Sequence, residues 1–294
     1  MSENLASGKT VFITGASTGI GQACAIELDK LGWQVFAGVR KEEDALKLTN
    51  DAEKIIPVIV DITDYDSVGQ AFETVQAKLA GRGLDALVNN AGISVQGPLE
   101  FIPMDLFEKQ IKVNVHGHLA VTQAFLPLIR IARGRIVFMS SESGRVTLPM
   151  AGPYSASKFA LEAIGNAFRM ELLSSGIKVS LIEPGSIKTA IWEKVSQNTD
   201  TLVESMPEQA KTLYEKELKT IFNTSKLVNK MAIPMRKVTG AVVHALTAKT
   251  PKIRYLVGLE AWILTYFSNL TPTRLVDWIM MNVTRQLAKI KFKA

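Results

Sequence analysis

One cysteine, three histidines and no long apolar run set the first limits on this chain of 294 residues. A lone cysteine excludes an intramolecular disulfide framework. Cys24 falls on the apolar side of an expected helix, so it reads as a small buried hydrophobe rather than a reactive thiol. His116, His118 and His244 are too scattered to build a zinc site and read as structural, so no metal is expected. No uninterrupted apolar stretch has the length of a membrane span. Met1 to Gly8 is polar and contains nothing like a signal or anchor, which points to a cytoplasmic protein. The sequons at Asn223, Asn269 and Asn282 then read as chance matches. The interior lacks a basic stripe interleaved with aromatics, so nucleic acid is not an expected partner. Repeats, low-complexity tracts and linkers are also missing, and residues 1–294 read as a single domain. The 47% hydrophobic and 21% charged content is ordinary for a chain that buries a full core.

What is present is an alternation of short apolar runs with longer helical patterns. Strands are expected at 10–14, 34–39, 55–60, 85–89, 135–140 and 177–183, with a seventh near Arg254 to Val257. Strands separated by helical stretches imply right-handed βαβ crossovers. Continuous apolar character, as in Arg135-Ile136-Val137-Phe138-Met139, fits strands buried on both faces. The expected fold class is α/β: a Rossmann-type doubly wound parallel sheet of about seven strands with helices on both faces.

The first strand runs straight into Gly15-Ala16-Ser17-Thr18-Gly19-Ile20-Gly21, and a helical pattern follows to Gly32. Strand, glycine-rich turn and helix, in that order, make a dinucleotide-binding unit. Glycines let the backbone approach a pyrophosphate, whose charge meets the helix N-terminus. At the end of the second strand, where a carboxylate would bond the ribose 2′-hydroxyl of NAD, stand Val39, Arg40 and Lys41. A cationic pair suits a 2′-phosphate, so the reading favours NADP(H) over NAD(H).

Tyr154 and Lys158 are four residues apart, one helical turn, and share a helix face. Free tyrosine, with a pKa of about 10, is nearly inert as a base at neutral pH, and a cation beside it favours phenolate. Ser141 lies thirteen residues upstream of the tyrosine.

Together these residues resemble the short-chain dehydrogenase/reductase superfamily in its shorter, single-domain form. The glycine turn matches at Thr14, Gly15, Gly19, Ile20 and Gly21, and the Asn-Asn-Ala-Gly element at Asn89, Asn90, Ala91 and Gly92. The family's active-site asparagine, serine and Tyr-x-x-x-Lys pair match Asn114, Ser141, Tyr154 and Lys158. Its Pro-Gly-x-x-x-Thr element matches Pro184, Gly185 and Thr189. The resemblance implies a nicotinamide cofactor held by these elements, with Ser17, Thr18, Asp61, Ile62 and Ile187 beside them. It implies that Lys158 bonds the nicotinamide ribose and that Asn114 holds a water for proton relay. The tail from about Arg254 is similar to the retinol, hydroxysteroid and 3-hydroxybutyrate dehydrogenase branch.

The expected reaction is reversible hydride transfer between nicotinamide and a secondary alcohol or ketone, with Tyr154 as acid/base and Ser141 polarising the substrate oxygen. Substrate-binding residues are expected to be Ser141, Ser143, Tyr154, Val95, Leu148, Met150, Ile191 and Trp192, a mostly apolar set that favours a lipid-like substrate. Val146 and Ile187 also fall in the segments expected to wall that pocket, and Arg145 there is either solvated or meets a substrate carboxylate. The polar helical stretch at about 190–233 reads as a lid. The aromatic and basic segment at about 259–294 carries Trp262, Tyr266, Trp278, Arg285, Lys289, Lys291 and Lys293. It reads as core or dimer packing, with peripheral membrane association as the alternative; the family resemblance implies a homodimer or homotetramer. A cofactor-binding regulator that catalyses nothing is the competing class, and the intact set of four candidate catalytic residues speaks against it.

Overall fold

The computed structural model describes residues 8–49, 55–187, 203–204, 206–218, 220 and 233–288. Seven strands are β1 (Thr10–Thr14), β2 (Gln34–Val39), β3 (Ile55–Ile59), β4 (Ala86–Asn89), β5 (Arg135–Met139), β6 (Lys178–Pro184) and β7 (Arg254–Val257). All pair in parallel, in the order β3-β2-β1-β4-β5-β6-β7. The apolar runs located every strand. The expected bounds differ only by one residue at some ends: β3 stops at Ile59 and β5 at Met139, β4 starts at Ala86, and β6 runs from Lys178 to Pro184.

The helices are α1 (Gly19–Lys30), α2 (Glu42–Thr49), α3 (Tyr65–Leu79), α4 (Met104–Ile111), α5 (His118–Ala132), α6 (Gly152–Glu171), α7 (Glu208–Leu213), α8 (Met235–Thr247), α9 (Leu259–Leu270) and α10 (Thr273–Ala288). Between α4 and α5 the chain widens into a turn of π-helix, Lys112–Gly117. Strand side chains alternate faces, and two cores result. Val11 and Ile13 of β1 pack with Cys24 and Leu28 of α1 and with Val242 and Leu246 of α8. Phe12, between them, faces the opposite layer and stacks on Phe125 of α5 at 4.4 Å between ring centroids. Burial of Cys24 raises its thiol to about 12, the charge of Glu27 adding to the effect, so it is the inert residue expected.

Strand order reverses between β1 and β4, which opens a crevice beyond the carboxyl ends of the strands. The loops after β1, β2, β4, β5 and β6 all converge on that crevice. It is where an α/β sheet of this winding binds ligands.

Candidate active site

The turn after β1 is a cradle that side chains would fill. Gly15 and Gly19 have φ of 65° and 63°, a left-handed backbone that favours glycine. A Cβ on Gly15 would sit 2.7 Å from Ala91 Cα, and one on Gly21 would sit 2.5 Å from Asn90 Nδ2. The segment after β4 braces the turn. Asn90 Nδ2 donates to Thr14 O at 2.9 Å and Gly15 O at 3.0 Å, while Asn90 N and Ala91 N donate to Thr14 Oγ1. These residues fit a dinucleotide: backbone is brought close and α1 opens toward the space where a pyrophosphate would lie. At the far end of the crevice, burial works to raise the Asp61 carboxyl. Hydrogen bonds from Thr63 and the charges of Arg40 and Lys112 outweigh it and hold the group below its usual range.

The π-helical turn explains Asn114. An extra residue in the turn rotates its side chain off the regular helical ladder, a device frequent at functional sites. Asn114 Oδ1 accepts from Ile93 N and its Nδ2 donates to Ile93 O, both at 3.0 Å. Nδ2 also lies 3.0 Å from Ser157 Oγ, which donates to Tyr154 O at 2.7 Å. Gln110, fully buried, copies this clamp one turn earlier: Val95 N donates to its Oε1, and its Nε2 donates to Ile93 O and Ser157 Oγ. Two amides therefore tie the loop after β4 to the start of α6. Asn114 itself does not line the cavity. The same bundle contains His118, which shares a 2.5 Å hydrogen bond with Ala91 O. Burial, then the charge of Lys158, pushes its imidazole down to about 3, so it is neutral and structural as expected. His116 departs from that expectation, since it is exposed and lines the crevice.

Ser141 follows β5 and caps a short 3-10 turn, Glu142–Gly144, accepting from Ser143 N at 3.2 Å. Across from it α6 presents Tyr154 and, one turn on, Lys158. Surrounding protein pushes the Tyr154 phenol up to about 12, against a hydrogen bond with Ser141, with Glu142 adding to the rise. Burial lowers the Lys158 ammonium to about 8 although Glu162 opposes the change. The expectation that Lys158 draws the phenol toward phenolate is therefore not met in this arrangement. Lys158 Nζ donates to Met139 O at 2.8 Å and stands 5.6 Å from the centroid of the Tyr154 ring, so its charge is spent on a carbonyl rather than on the phenol oxygen.

All of this opens into one cavity of about 1410 Å³. Its lining includes Gly15, Ser17, Thr18, Gly19, Ile20, Arg40, Asp61, Ile62, Asn90, Ala91, Gly92, Pro184, Gly185 and Ile187 from the expected cofactor set. It also includes Ser141, Ser143, Leu148, Met150, Tyr154 and Lys158. Four expectations are corrected. Val95 packs in a separate apolar cluster with Ile102, Met206 and Ala210 rather than against the cavity. Lys41 is exposed and off the cavity; its carbonyl accepts from Asp44 N and Ala45 N at the start of α2. Gly21 lies beneath the turn rather than against the cavity. Arg145 is not in the cavity lining: it pairs with buried Glu183 at 3.5 Å. Thr189, Ile191 and Trp192 lie outside the described residues, as does most of the 190–233 stretch. The part of it that is described packs Tyr214 against Glu100 and Phe101, and brings Glu217 and Thr220 to the cavity.

Sequence reading missed Gln110, Ser157, Glu260, Leu264 and Met280, and reached Glu142 only as the first residue of a segment expected to wall the pocket. Only Glu142, beside the candidate serine, carried a local signal. Glu260, Leu264 and Met280 come from α9 and α10, more than a hundred residues from Tyr154 in the chain.

A family model described as short chain dehydrogenase matches residues 9–200. The chain belongs to that family, and it is an NAD(P)-dependent oxidoreductase. An NADPH-dependent 3-dehydrocapnine reductase of Ornithobacterium rhinotracheale is 34% identical over 283 residues, covering 94% of this chain and 98% of the relative. Retinol dehydrogenase 7 of Rattus norvegicus is 36% identical over 278 residues, 92% of this chain and 87% of the relative. Among solved structures, a short chain dehydrogenase from Burkholderia cenocepacia in complex with NADP is 25% identical. Its TM-score is 0.72, and the match covers 93% of this chain and 98% of that one.

Proposed function

We propose that the protein interconverts a secondary alcohol and a ketone on an apolar, lipid-like substrate, with NADP(H) preferred over NAD(H). The observation that carries the reading is the convergence of Ser141, Tyr154 and Lys158 on one cavity with the glycine cradle after β1. When bound, the nicotinamide supplies or accepts the hydride. The chain's own residues do the rest. Ser141 donates a hydrogen bond to the substrate oxygen, worth most as negative charge gathers there. Tyr154 gives that oxygen its proton in reduction and takes it back in oxidation. Lys158 holds the ribose, and Asn114 and Gln110 hold α6 in register with the loop after β4.

Support for NADP(H) comes from the lining: Arg40 stands at the end of β2, and Val39 occupies the place of the ribose-binding carboxylate. The relative that acts with NADPH and the structural neighbour that holds NADP agree with it. Titration with NADPH and NADH, followed by nicotinamide fluorescence, tests the preference. Tighter NADPH binding by about tenfold is expected from a charge-assisted contact to the 2′-phosphate, and equal affinities would refute it. For the substrate, Leu148, Met150, Leu264 and Met280 form an apolar wall.

A second reading concerns location. No helix among the described residues is long and apolar enough to cross a membrane. The outer faces of α9 and α10, however, expose Trp262 at 51%, Trp278 at 65% and Leu270 at 82%. With Arg285, Lys289, Lys291 and Lys293 following in sequence, that face suits peripheral association with an anionic bilayer. Co-sedimentation with phosphatidylserine vesicles should fall sharply in a Trp262→Ser, Trp278→Ser variant. Dimer loss in the variant, with no vesicle binding by the parent, would assign the face to a second copy instead.

A further inference from the structure

Four charged residues outside the cavity join the turn that follows Ser141 to the helix that carries Tyr154 and Lys158. Arg145 closes the 3-10 turn Glu142–Gly144. Its N donates to Glu142 O at 2.8 Å, and its guanidinium pairs with buried Glu183 of β6 at 3.5 Å. Glu183 Oε1 also lies 3.0 Å from Nε of Arg254, on β7. Arg254 then reaches α6: it donates to Glu162 Oε2 through Nε at 3.2 Å and Nη2 at 3.1 Å, and to Asn166 Oδ1 at 3.0 Å. Glu162 is buried and stands one helical turn beyond Lys158. Direct contact closes the circuit, since a Cβ built on Gly144 would lie 3.0 Å from Lys158 O and 3.1 Å from Glu162 Cγ. None of Arg145, Glu162, Glu183 and Arg254 lines the cavity.

Buried charge is a poor source of stability, because desolvation cancels much of the attraction and apolar side chains of similar volume often do as well or better. A guanidinium fork supplies what apolar packing does not: its donors fix both distance and direction to a carboxylate. The two elements gripped here are the ones that must stay in register for the reaction. Ser141 and Tyr154 share a hydrogen bond, yet one follows β5 and the other lies in the first turn of α6. At Gly144 the turn rests on α6 with no side chain between them, and such a contact does not by itself resist sliding. Arg145 holds the turn beside that contact, and Glu162 holds the helix at it.

We propose that Arg145 and Glu162, joined through Glu183 and Arg254, are positioning residues that set the distance between the Ser141 hydroxyl and the Tyr154 phenol. The proposal rests on the hydride-transfer reading for the roles of those two groups. Breaking either end of the circuit leaves Ser141, Tyr154 and the cofactor cradle in place but frees the turn to drift from the helix. A misplacement of about 1 Å is enough to cost about 10²-fold in rate.

Nuclear magnetic resonance of the protein saturated with NADP and labelled with carbon-13 at tyrosine Cζ tests this without requiring turnover. The chain has five tyrosines, and Tyr154→Phe assigns the signal. Ser141→Ala marks where that signal lies once the phenol has lost its partner. The measurement is made at pH 8, where Glu183 is ionised although burial and then Glu162 raise it to about 7. Arg145→Met and Glu162→Gln should each move the Tyr154 signal at least about halfway to its Ser141→Ala position. Arg145→Lys, which keeps the charge, should move it less than Arg145→Met. With NADPH and 2-decanone or a steroid ketone, kcat should fall about tenfold to hundredfold in Arg145→Met and Glu162→Gln, with the KM for NADPH within about twofold. Val75→Ala, which hollows the core under α3 away from the circuit, should leave the signal in place. An unmoved signal in both circuit variants would overturn the proposal, and so would an unchanged kcat in a parent that turns over. An equal shift in Val75→Ala would also overturn it, since loss of stability alone would then explain the result. If the parent reduces neither ketone while the signal moves as expected, the hydride-transfer reading fails and the positioning role stands.

Discussion

Arg254→Met should destabilise the protein by an amount that depends on pH. Arg254 of β7 pairs with two carboxylates, Glu162 of α6 and Glu183 of β6. Its Nη2 donates to Glu162 Oε2 at 3.1 Å and its Nε lies 3.0 Å from Glu183 Oε1. Glu183 has no solvent exposure, and Arg145, 3.5 Å away, is its other cation. Removing one member of a buried pair costs about 3–5 kcal/mol. The guanidinium is one-third exposed and Arg145 remains, so the expected loss near pH 7.5 is lower, about 2–3 kcal/mol. For a chain of this length that is a fall in Tm of about 4–6 °C. Burial, and then Glu162, already raise the Glu183 carboxyl to about 7 against the two arginines. A raised carboxyl contributes stability fully present below its unfolded value and lost as pH rises through the folded one. Near pH 5 Glu183 is therefore protonated in parent and variant alike, and the charge penalty disappears from the comparison. Thermal melts at pH 7.5 and pH 5 should show the Tm deficit shrinking to less than half in acid. Adding Glu183→Gln should recover most of it at pH 7.5. A deficit that is the same at both pH values would show that Arg254 acts by packing alone and refute the charge account.

Three further outcomes follow from the site. Tyr154→Phe should lower turnover by about 10²–10⁴-fold, the usual weight of a general acid, while NADPH affinity measured by fluorescence stays within about twofold. Substantial residual turnover would remove Tyr154 from the proton step. Gly15→Ala, which forces a side chain into a left-handed turn 2.7 Å from Ala91 Cα, should abolish measurable NADPH binding with the fold retained by circular dichroism. Gln110→Leu should lower kcat with little change in KM for cofactor, because it unlocks the amide clamp on Ile93 and Ser157 without touching the cavity. An unchanged kcat would make Gln110 a packing residue only.

The strand order was legible because apolar runs of fixed length alternate with helical periodicity, and a parallel sheet buried on both faces leaves little else for such runs to do. The cofactor cradle was legible for a similar reason: Gly15, Gly19 and Gly21 are needed one beside another, so their signal is contiguous. The Tyr154–Lys158 spacing was readable because one helical turn fixes it. Ser141 was readable from its distance along the chain, although the contact that matters is across the crevice.

Other features had no local trace. Lys41 looked equivalent to Arg40, yet adjacent residues at a strand end diverge, and only Arg40 enters the cavity. Val95 looked like part of the wall, yet it packs with Ile102, Met206 and Ala210, residues distant in the chain that no local pattern pairs with it. Gln110 and Ser157 read as ordinary helix residues until the π-turn brought them together. By itself the sequence determined the sheet, the glycine turn and the candidates proposed as reacting groups, because those depend on neighbours in the chain. Only the tertiary structure decided where Lys158 spends its charge, and that Arg145, Glu183, Arg254 and Glu162 form one circuit, because those contacts join segments whose separation in sequence carries no periodic signal.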